Sequence, residues 1–205
     1  MNQAVILAAG KGARLGGRSK AGLALGNRPM LAYSLDALRA SPEIAQVVVV
    51  MNPEDLEGFK KEWGNNPLDM GADLVVAGGE RRWMSCREGV RASDPEMEMV
   101  LVHDAARPLL SPELVNLVWT ATLEHQAAFA ANPVPDSLHF AENGRVTFEG
   151  IDRENLWAAQ TPQGALRGIL VEALDEAEKR AKIGNHPTDE VSMLLLAPLF
   201  MHFAL

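Results

Sequence analysis

Short apolar runs punctuate this chain at Ala4 to Ala9, Gln46 to Met51, Asp73 to Ala77, Met99 to Val102 and Ala127 to Val134. Stretches of helical length separate several of them, and that rhythm predicts a parallel sheet joined by helical crossovers. Within Val47-Val48-Val49-Val50 no polar residue interrupts the apolar ones, as expected of a strand covered by helices on both faces. The expected fold class is α/β, with a doubly wound, mostly parallel sheet.

Between the first two runs, Leu31, Leu35 and Leu38 recur at helical spacing after Pro29, predicting a helix with one apolar face and proline near its start. Pro53 to Trp63 and Ser85 to Ala92 read as the next crossovers. Ser111-Pro112 opens another helix, with serine as N-cap and proline at the first helical position, running to about His125.

From Ser137 to Ile151 the period changes. Leu138 and Phe140 flank His139, Val146 and Phe148 flank Thr147, and Asn143-Gly144 sits between. Alternation about an Asn-Gly pair predicts a β-hairpin. This arm, residues 136–153, carries apolar side chains that need a covering surface, either its own domain or a second subunit.

With 205 residues, 47% of them hydrophobic and 22% charged, residues 1–205 are expected to fold as one domain with a core of its own. No internal repeat or linker divides them. A formal net charge of -8 argues against sequence-independent nucleic-acid binding, which needs a cationic surface. Any phosphate must therefore meet local cations. Cys86 is the single cysteine, so no internal disulfide can form, which fits a reducing, cytoplasmic setting. The first apolar run begins almost at Met1, so no signal peptide is expected, and no run approaches the ~20 residues of a membrane span.

The first strand leads into Ala8-Ala9-Gly10-Lys11-Gly12-Ala13-Arg14-Leu15-Gly16, with Arg18 and Lys20 beyond. Small residues let backbone N–H groups approach an anion closely. The spacing fits neither the dinucleotide fingerprint, whose third glycine would come one residue earlier, nor the P-loop, which needs Ser or Thr after Gly-Lys. What remains is a turn with Lys11, Arg14, Arg18 and Lys20 near one spot, suited to a triphosphate; the alternative is a solvated basic loop.

Gly78-Gly79-Glu80-Arg81-Arg82-Trp83-Met84-Ser85 follows the third run, at what would be a strand's carboxyl end, where open α/β sheets bind ligands. Two glycines would admit a flat base, and Ser85 could cap the next helix as well as face a ligand. His103-Asp104-Ala105-Ala106-Arg107-Pro108 follows the fourth run. Asp104 is placed to hold magnesium together with substrate phosphates, Arg107 to hold a second phosphate, and His103 is expected to be a satisfied histidine fixing the loop. Asp189 and Glu190 read as caps in the first turn of a last helix.

These motifs, in this order and spacing, resemble the 2-C-methyl-D-erythritol 4-phosphate cytidylyltransferase family. The likeness rests on Ala8-Ala9-Gly10-x-Gly12-x-Arg14 with Lys20, Gly78-Gly79-x-x-Arg82 with Ser85, and the most specific string, His103 to Pro108. Asp136-Ser137, Asp152-Arg153, Leu156-Trp157, Gln160-Thr161-Pro162-Gln163 and Thr188-Asp189-Glu190 complete it. The resemblance implies a Rossmann-like sheet, a homodimer joined through the arm, and Mg²⁺-assisted attack of a small sugar-alcohol phosphate on the α-phosphorus of CTP. By position it implies catalytic roles for Arg14 and Lys20, and Asp104 as metal ligand. Ala8, Ala9, Gly10, Gly12, Gly79, Glu80, Ser85 and Ala105 would surround the nucleotide. Arg107, Ser137, Arg153, Thr161 and Thr188 would hold the acceptor, Arg153 reaching in from the other subunit's arm.

Three departures from the family pattern stand out. Ser19-Lys20-Ala21 replaces the usual Pro-Lys-Gln, and Ser137 a threonine. The stretch from Leu194 to Phe203 lacks the lysine that the family places near the phosphates, and no lysine follows Lys182. A contact to phosphate is then missing, or another cation such as Lys11 or Arg18 replaces it. Its apolar tail is expected to be packed rather than solvated. A related nucleotidylyltransferase with another acceptor, such as ribitol 5-phosphate, and a nucleotide-binding but catalytically silent relative are the alternatives.

Overall fold

In the computed structural model, residues 1–10, 12, 19–147, 151–184, 186–195 and the backbone of 202–204 are described. In chain order the elements are β1 (Asn2–Leu7), a 3-10 turn (Lys20–Gly22), β2 (Ala24–Leu25), β3 (Arg28–Pro29), α1 (Met30–Arg39), β4 (Ile44–Val50), α2 (Pro53–Trp63), β5 (Leu74–Val76) and α3 (Arg82–Arg91). There follow β6 (Met99–Asp104), α4 (Pro112–His125), β7 (Ala127–Pro133), β8 (Ala141–Glu142), β9 (Arg145–Val146), β10 (Trp157–Leu166), α5 (Arg167–Ala181), α6 (Glu190–Leu194) and β11 (His202–Ala204).

The main sheet has the strand order β11-β7-β10-β6-β1-β4-β5. β1 pairs in parallel with both β4 and β6, whereas β10 runs antiparallel to β6 and β7. The expected mostly parallel, doubly wound sheet is therefore found, with one reversed strand inside it. Side chains alternate between two cores. Ala4, Ile6, Val47, Val49 and Leu101 pack with Leu31, Leu35 and Leu38 of α1, Phe59 of α2 and Val115 of α4. Val5, Val100 and Val102 pack on the other face against Trp83 and Cys86 of α3, Leu170 and Leu174 of α5 and Met193 of α6. Two covered faces account for the uninterrupted valines of β4.

The chain winds outward from β1 to β4 and β5, then returns to place β6 on the other side of β1. That reversal opens a crevice at the carboxyl ends of β1 and β6. Helix starts follow the expected chemistry at α4, where the Leu114 N–H donates to Ser111 Oγ at 3.2 Å. α3 begins earlier than predicted, at Arg82, so Ser85 lies inside the helix and does not cap it.

The apolar pattern does not predict β10, because Gln160-Thr161-Pro162-Gln163 reads as a polar loop. Pro162 has no N–H to give a ladder, and pairing with β7 is interrupted between Ala159 and Gln163. The long helix α5 is likewise an addition to the elements expected. The arm is present: β8 and β9 form a ladder closed by Asn143 (φ 51) and Gly144 (φ 77), with a further bridge between Leu138 and Ile151. Two consecutive positive φ values are what a tight hairpin turn demands. The arm is exposed, Val146 at 66% and Phe140 at 60%. Of the apolar tail, residues 196–201 and 205 lie outside the described residues, while β11 adds a parallel edge strand to β7.

Candidate functional site

The ends of β1, β4 and β6 are tied to one another by their own backbones. The Ala8 N–H donates to Val50 O at 2.8 Å and the Ala105 N–H to Leu7 O at 3.0 Å, while Asn52 Nδ2 holds Ala9 O at 3.0 Å. Gly78 allows the end of β5 to join them: a Cβ there would lie 2.3 Å from Ala9 Cβ and 2.9 Å from Ser85 Oγ. Its small size therefore serves loop against loop, rather than loop against base as the sequence suggested. Gly79 donates its N–H to Ser85 Oγ at 3.1 Å, so Ser85 braces the glycine turn from within α3.

A cavity of about 500 Å³ opens between these ends. Ala8, Ala9, Gly10, Gly12, Gly79, Glu80, Ser85 and Ala105, every residue expected around a nucleotide, line it, and Lys20 and Asp104 do too. Lys20 opens the 3-10 turn, which α2 anchors: Trp63 Nε1 donates to Gly22 O at 2.9 Å. Ser19 Oγ reaches Ala8 O at 3.4 Å. Arg14, with Lys11 and Arg18, lies outside the described residues.

Asp104 ends β6 and carries the densest polar network of the site. Arg82 Nε and Nη2 both donate to its Oδ1, at 3.1 and 2.9 Å, and Arg107 Nε lies 3.4 Å from its Oδ2. On its far side Arg82 Nη1 holds both carboxylate oxygens of Glu190, at 2.8 and 2.6 Å. Glu190 is 1% exposed. Burial pushes its carboxyl above the ordinary range, with the Arg82 guanidinium offsetting part of the effect. Burial alone would lower Arg82, but Glu190 and Asp104 outweigh it and raise its affinity for the proton.

His103 is the satisfied histidine expected. Its Nε2 meets Arg107 O at 3.1 Å and its Nδ1 meets Thr161 Oγ1 at 2.9 Å. Burial lowers its pKa to about 4, so it is neutral near pH 7. Thr161 is itself buried and accepts the Asp104 N–H at 3.3 Å, so it also sets the backbone at Asp104. A second cavity of about 410 Å³ lies beside this cluster, lined by Arg107, Gln160, Thr161 and Asn132 among others. Arg107 Nη1 is held by Gln160 Oε1.

The remaining residues expected to hold an acceptor are elsewhere. Ser137 and Arg153 are exposed at the base of the arm, where Arg153 Nη1 donates to Pro135 O, and Thr188 is exposed just before α6. None of the three lines either cavity.

Glu190 corrects the sequence reading. Asp189 is the N-cap of α6, its Oδ1 accepting the Ser192 N–H at 2.9 Å, whereas Glu190 faces inward to Arg82. One signal was available: Glu190 shares a helical face with Met193 and Leu194 at i+3 and i+4, both fully buried. Gln163 completes the arrangement, its Oε1 accepting the N–H groups of Glu190 at 3.0 Å and Val191 at 3.2 Å.

The family model for 2-C-methyl-D-erythritol 4-phosphate cytidylyltransferase matches residues 2–199. The enzyme of that name from Frankia casuarinae is 42% identical over 170 residues, covering 82% of this chain and 61% of the relative. Its counterpart from Laribacter hongkongensis is 37% identical over 194 residues, covering 93% of this chain and 81% of the relative. The crystal structure of the enzyme from Thermus thermophilus superposes with a TM-score of 0.79 at 28% identity, covering 100% of this chain and 88% of that one. Sequence and fold thus agree, and the chain belongs to the 2-C-methyl-D-erythritol 4-phosphate cytidylyltransferase family, nucleotidyltransferases of isoprenoid biosynthesis.

Proposed function

We propose that this protein joins CTP to 2-C-methyl-D-erythritol 4-phosphate, forming 4-diphosphocytidyl-2-C-methyl-D-erythritol and releasing pyrophosphate. One observation carries the reading: a single cavity gathers the eight nucleotide residues together with Lys20 and Asp104. An acceptor phosphate oxygen forms a bond to the α-phosphorus while the bond from that phosphorus to the β-phosphate oxygen breaks. Negative charge grows on the departing pyrophosphate, where the Lys20 ammonium, with Arg14, stabilises it. The backbone at Ala8 to Gly10 and Gly79 holds the nucleotide, and Ala105 packs by the ribose. No protein nucleophile is needed, and rate comes from placement and electrostatics.

Magnesium fits the donor set. Among the described residues no group of three or more His, Cys, Asp or Glu side chains is arranged to hold a metal. Asp104 does place one hard carboxylate on the cavity wall, and Mg²⁺ favours one or two carboxylates completed by phosphates and water. When bound there it would neutralise phosphate charge.

We also infer a homodimer in which the arm of one subunit brings Arg153 to the acceptor side of the other, with Arg107, Thr161, Ser137 and Thr188 completing that side. The exposed apolar residues of the arm, and the fact that Arg153 lines neither of the two cavities described, support this. A cytoplasmic setting accords with a single, buried cysteine. The test is pyrophosphate release from CTP and methylerythritol phosphate with Mg²⁺, against other nucleoside triphosphates and ribitol 5-phosphate. Turnover with the first pair alone is expected; turnover with ribitol 5-phosphate instead would replace the acceptor.

A further inference from the structure

We propose that Glu190 and Arg82 are positioning residues that fix the Asp104 carboxylate for its divalent cation. This rests on the reading of Asp104 as metal ligand. Arg82 divides its donors between two carboxylates. Two of its N–H groups converge on Oδ1 of Asp104 and a third nitrogen spans both oxygens of Glu190. Held this way, Asp104 cannot rotate about its side chain without breaking two bonds at once, and Oδ2 stays turned to the other side, toward Arg107.

Glu190 is itself immobile. Gln163 Oε1 grips its N–H, and Gln163 lies on β10 in register with Val102 of β6, two residues before Asp104. The contacts therefore close a ring: β6 to β10, β10 to α6, α6 through Glu190 to Arg82, and Arg82 back to the end of β6. A buried ion pair gains little net stability, since desolvation cancels most of the attraction. Placing one directly behind a cavity carboxylate has a clearer consequence for charge. With Glu190 anionic, the Arg82 guanidinium is shared between two carboxylates, so Asp104, which Arg107 also approaches at 3.4 Å, keeps more of its negative charge for a cation. Without that anion the full positive charge of Arg82 falls on Asp104 and competes with the metal.

The test measures Mn²⁺ by its EPR signal in the presence of saturating CTP and no acceptor, so that no turnover is read. Glu190→Gln keeps the side-chain size and removes the charge. Arg82→Lys, at a partly exposed position, keeps the charge but loses the fork that spans two carboxylates, and decides the matter should Glu190→Gln not fold. Each is expected to weaken Mn²⁺ about tenfold, the usual range for groups that orient a ligand. Asp104→Asn should weaken it further, and adding Glu190→Gln to Asp104→Asn should cost nothing more, because Glu190 acts only through Asp104. Wild-type affinity in both Glu190→Gln and Arg82→Lys, or an additive loss in the double variant, overturns the inference while Asp104→Asn still marks the metal site. Unchanged affinity in Asp104→Asn overturns the metal reading, and the inference with it.

Discussion

Ala8, Ala9, Ser85 and Ala105 are all buried at the ends of sheet strands or in the helix beside them, whereas Ser137, Arg153 and Thr188 are exposed on the arm and on the approach to α6. The two halves of the site thus have different physical origins. The half proposed for the nucleotide is a by-product of winding: once β6 returns to the far side of β1, the strand ends have to part there, and backbone bonds such as Ala105 N–H to Leu7 O fix the gap. Of the residues proposed for the acceptor, Arg107 and Thr161 line a cavity, whereas Ser137, Arg153 and Thr188 have no such scaffold among the described residues. A preformed half and an unfinished half should respond differently to substitution.

The largest effect is expected in the preformed half. Lys20→Ala should lower kcat by about 10²–10³-fold, as loss of a single preorganised donor to developing charge commonly does, while CTP binding changes far less. Stopped assays of pyrophosphate release beside a CTP titration would check this. A proportionate loss of CTP affinity with unchanged kcat would make Lys20 a binding residue only.

His103 precedes Asp104 on β6 and contacts two of the residues proposed for the acceptor, through Thr161 Oγ1 and the Arg107 carbonyl. Its folded-state pKa is lowered to about 4 from the ordinary 6.5, chiefly by burial. Between those values the unfolded chain binds a proton that the folded one refuses. The stabilisation is therefore whole above pH 6.5 and lost as pH falls toward 4, up to about 3 kcal/mol. Denaturant midpoints from pH 7 to pH 4 should fall less steeply in His103→Gln than in the wild type. Parallel slopes would mean that His103 does not set the acid sensitivity of this loop.

Gly78→Ala should act on the nucleotide half alone and more mildly. Its Cβ would meet Ala9 at 2.3 Å, so the two strand ends must separate, a crowding that typically costs about 1–3 kcal/mol. A KM for CTP raised about tenfold, with the acceptor KM unchanged, would sharpen the contrast between the halves. Equal rises in both would blur it.

The same contrast governs what could be read from sequence. β1, β4, β6 and β7, and helices α2 and α4, were legible because burial on two faces or on one stripe leaves an uninterrupted or periodic apolar signal. So was the hairpin, through Asn143-Gly144. β10 was hidden because its central residues are polar for the sake of the site: Thr161 serves His103 and Asp104, and Gln163 serves α6. Glu190 was misread because an acid at a helix start resembles a cap, and only its inward face tells the difference. Arg82 was seen as part of a motif, but its two carboxylate partners come from positions 22 and 108 residues away, a pairing no local pattern encodes.

The smallest recovery, and the one that tests the unfinished half directly, comes from mixing subunits. Arg153→Ala should raise the acceptor KM roughly tenfold, the size expected for one charge-assisted contact to a phosphate. If that arginine is supplied across a dimer, Arg153→Ala and Lys20→Ala protomers should complement each other. Random pairing of equal amounts makes about half of the dimers mixed, and each mixed dimer holds one site with both Lys20 and Arg153 intact, so about a quarter of all sites should be whole. Recovery of that fraction of the wild-type kcat/KM for the acceptor, read well below the acceptor KM after unfolding and joint refolding, would place the acceptor half between subunits. If the mixture gives only the average of its components, Arg153 must serve its own protomer, and the arm would have to fold back over the cavity beside Arg107.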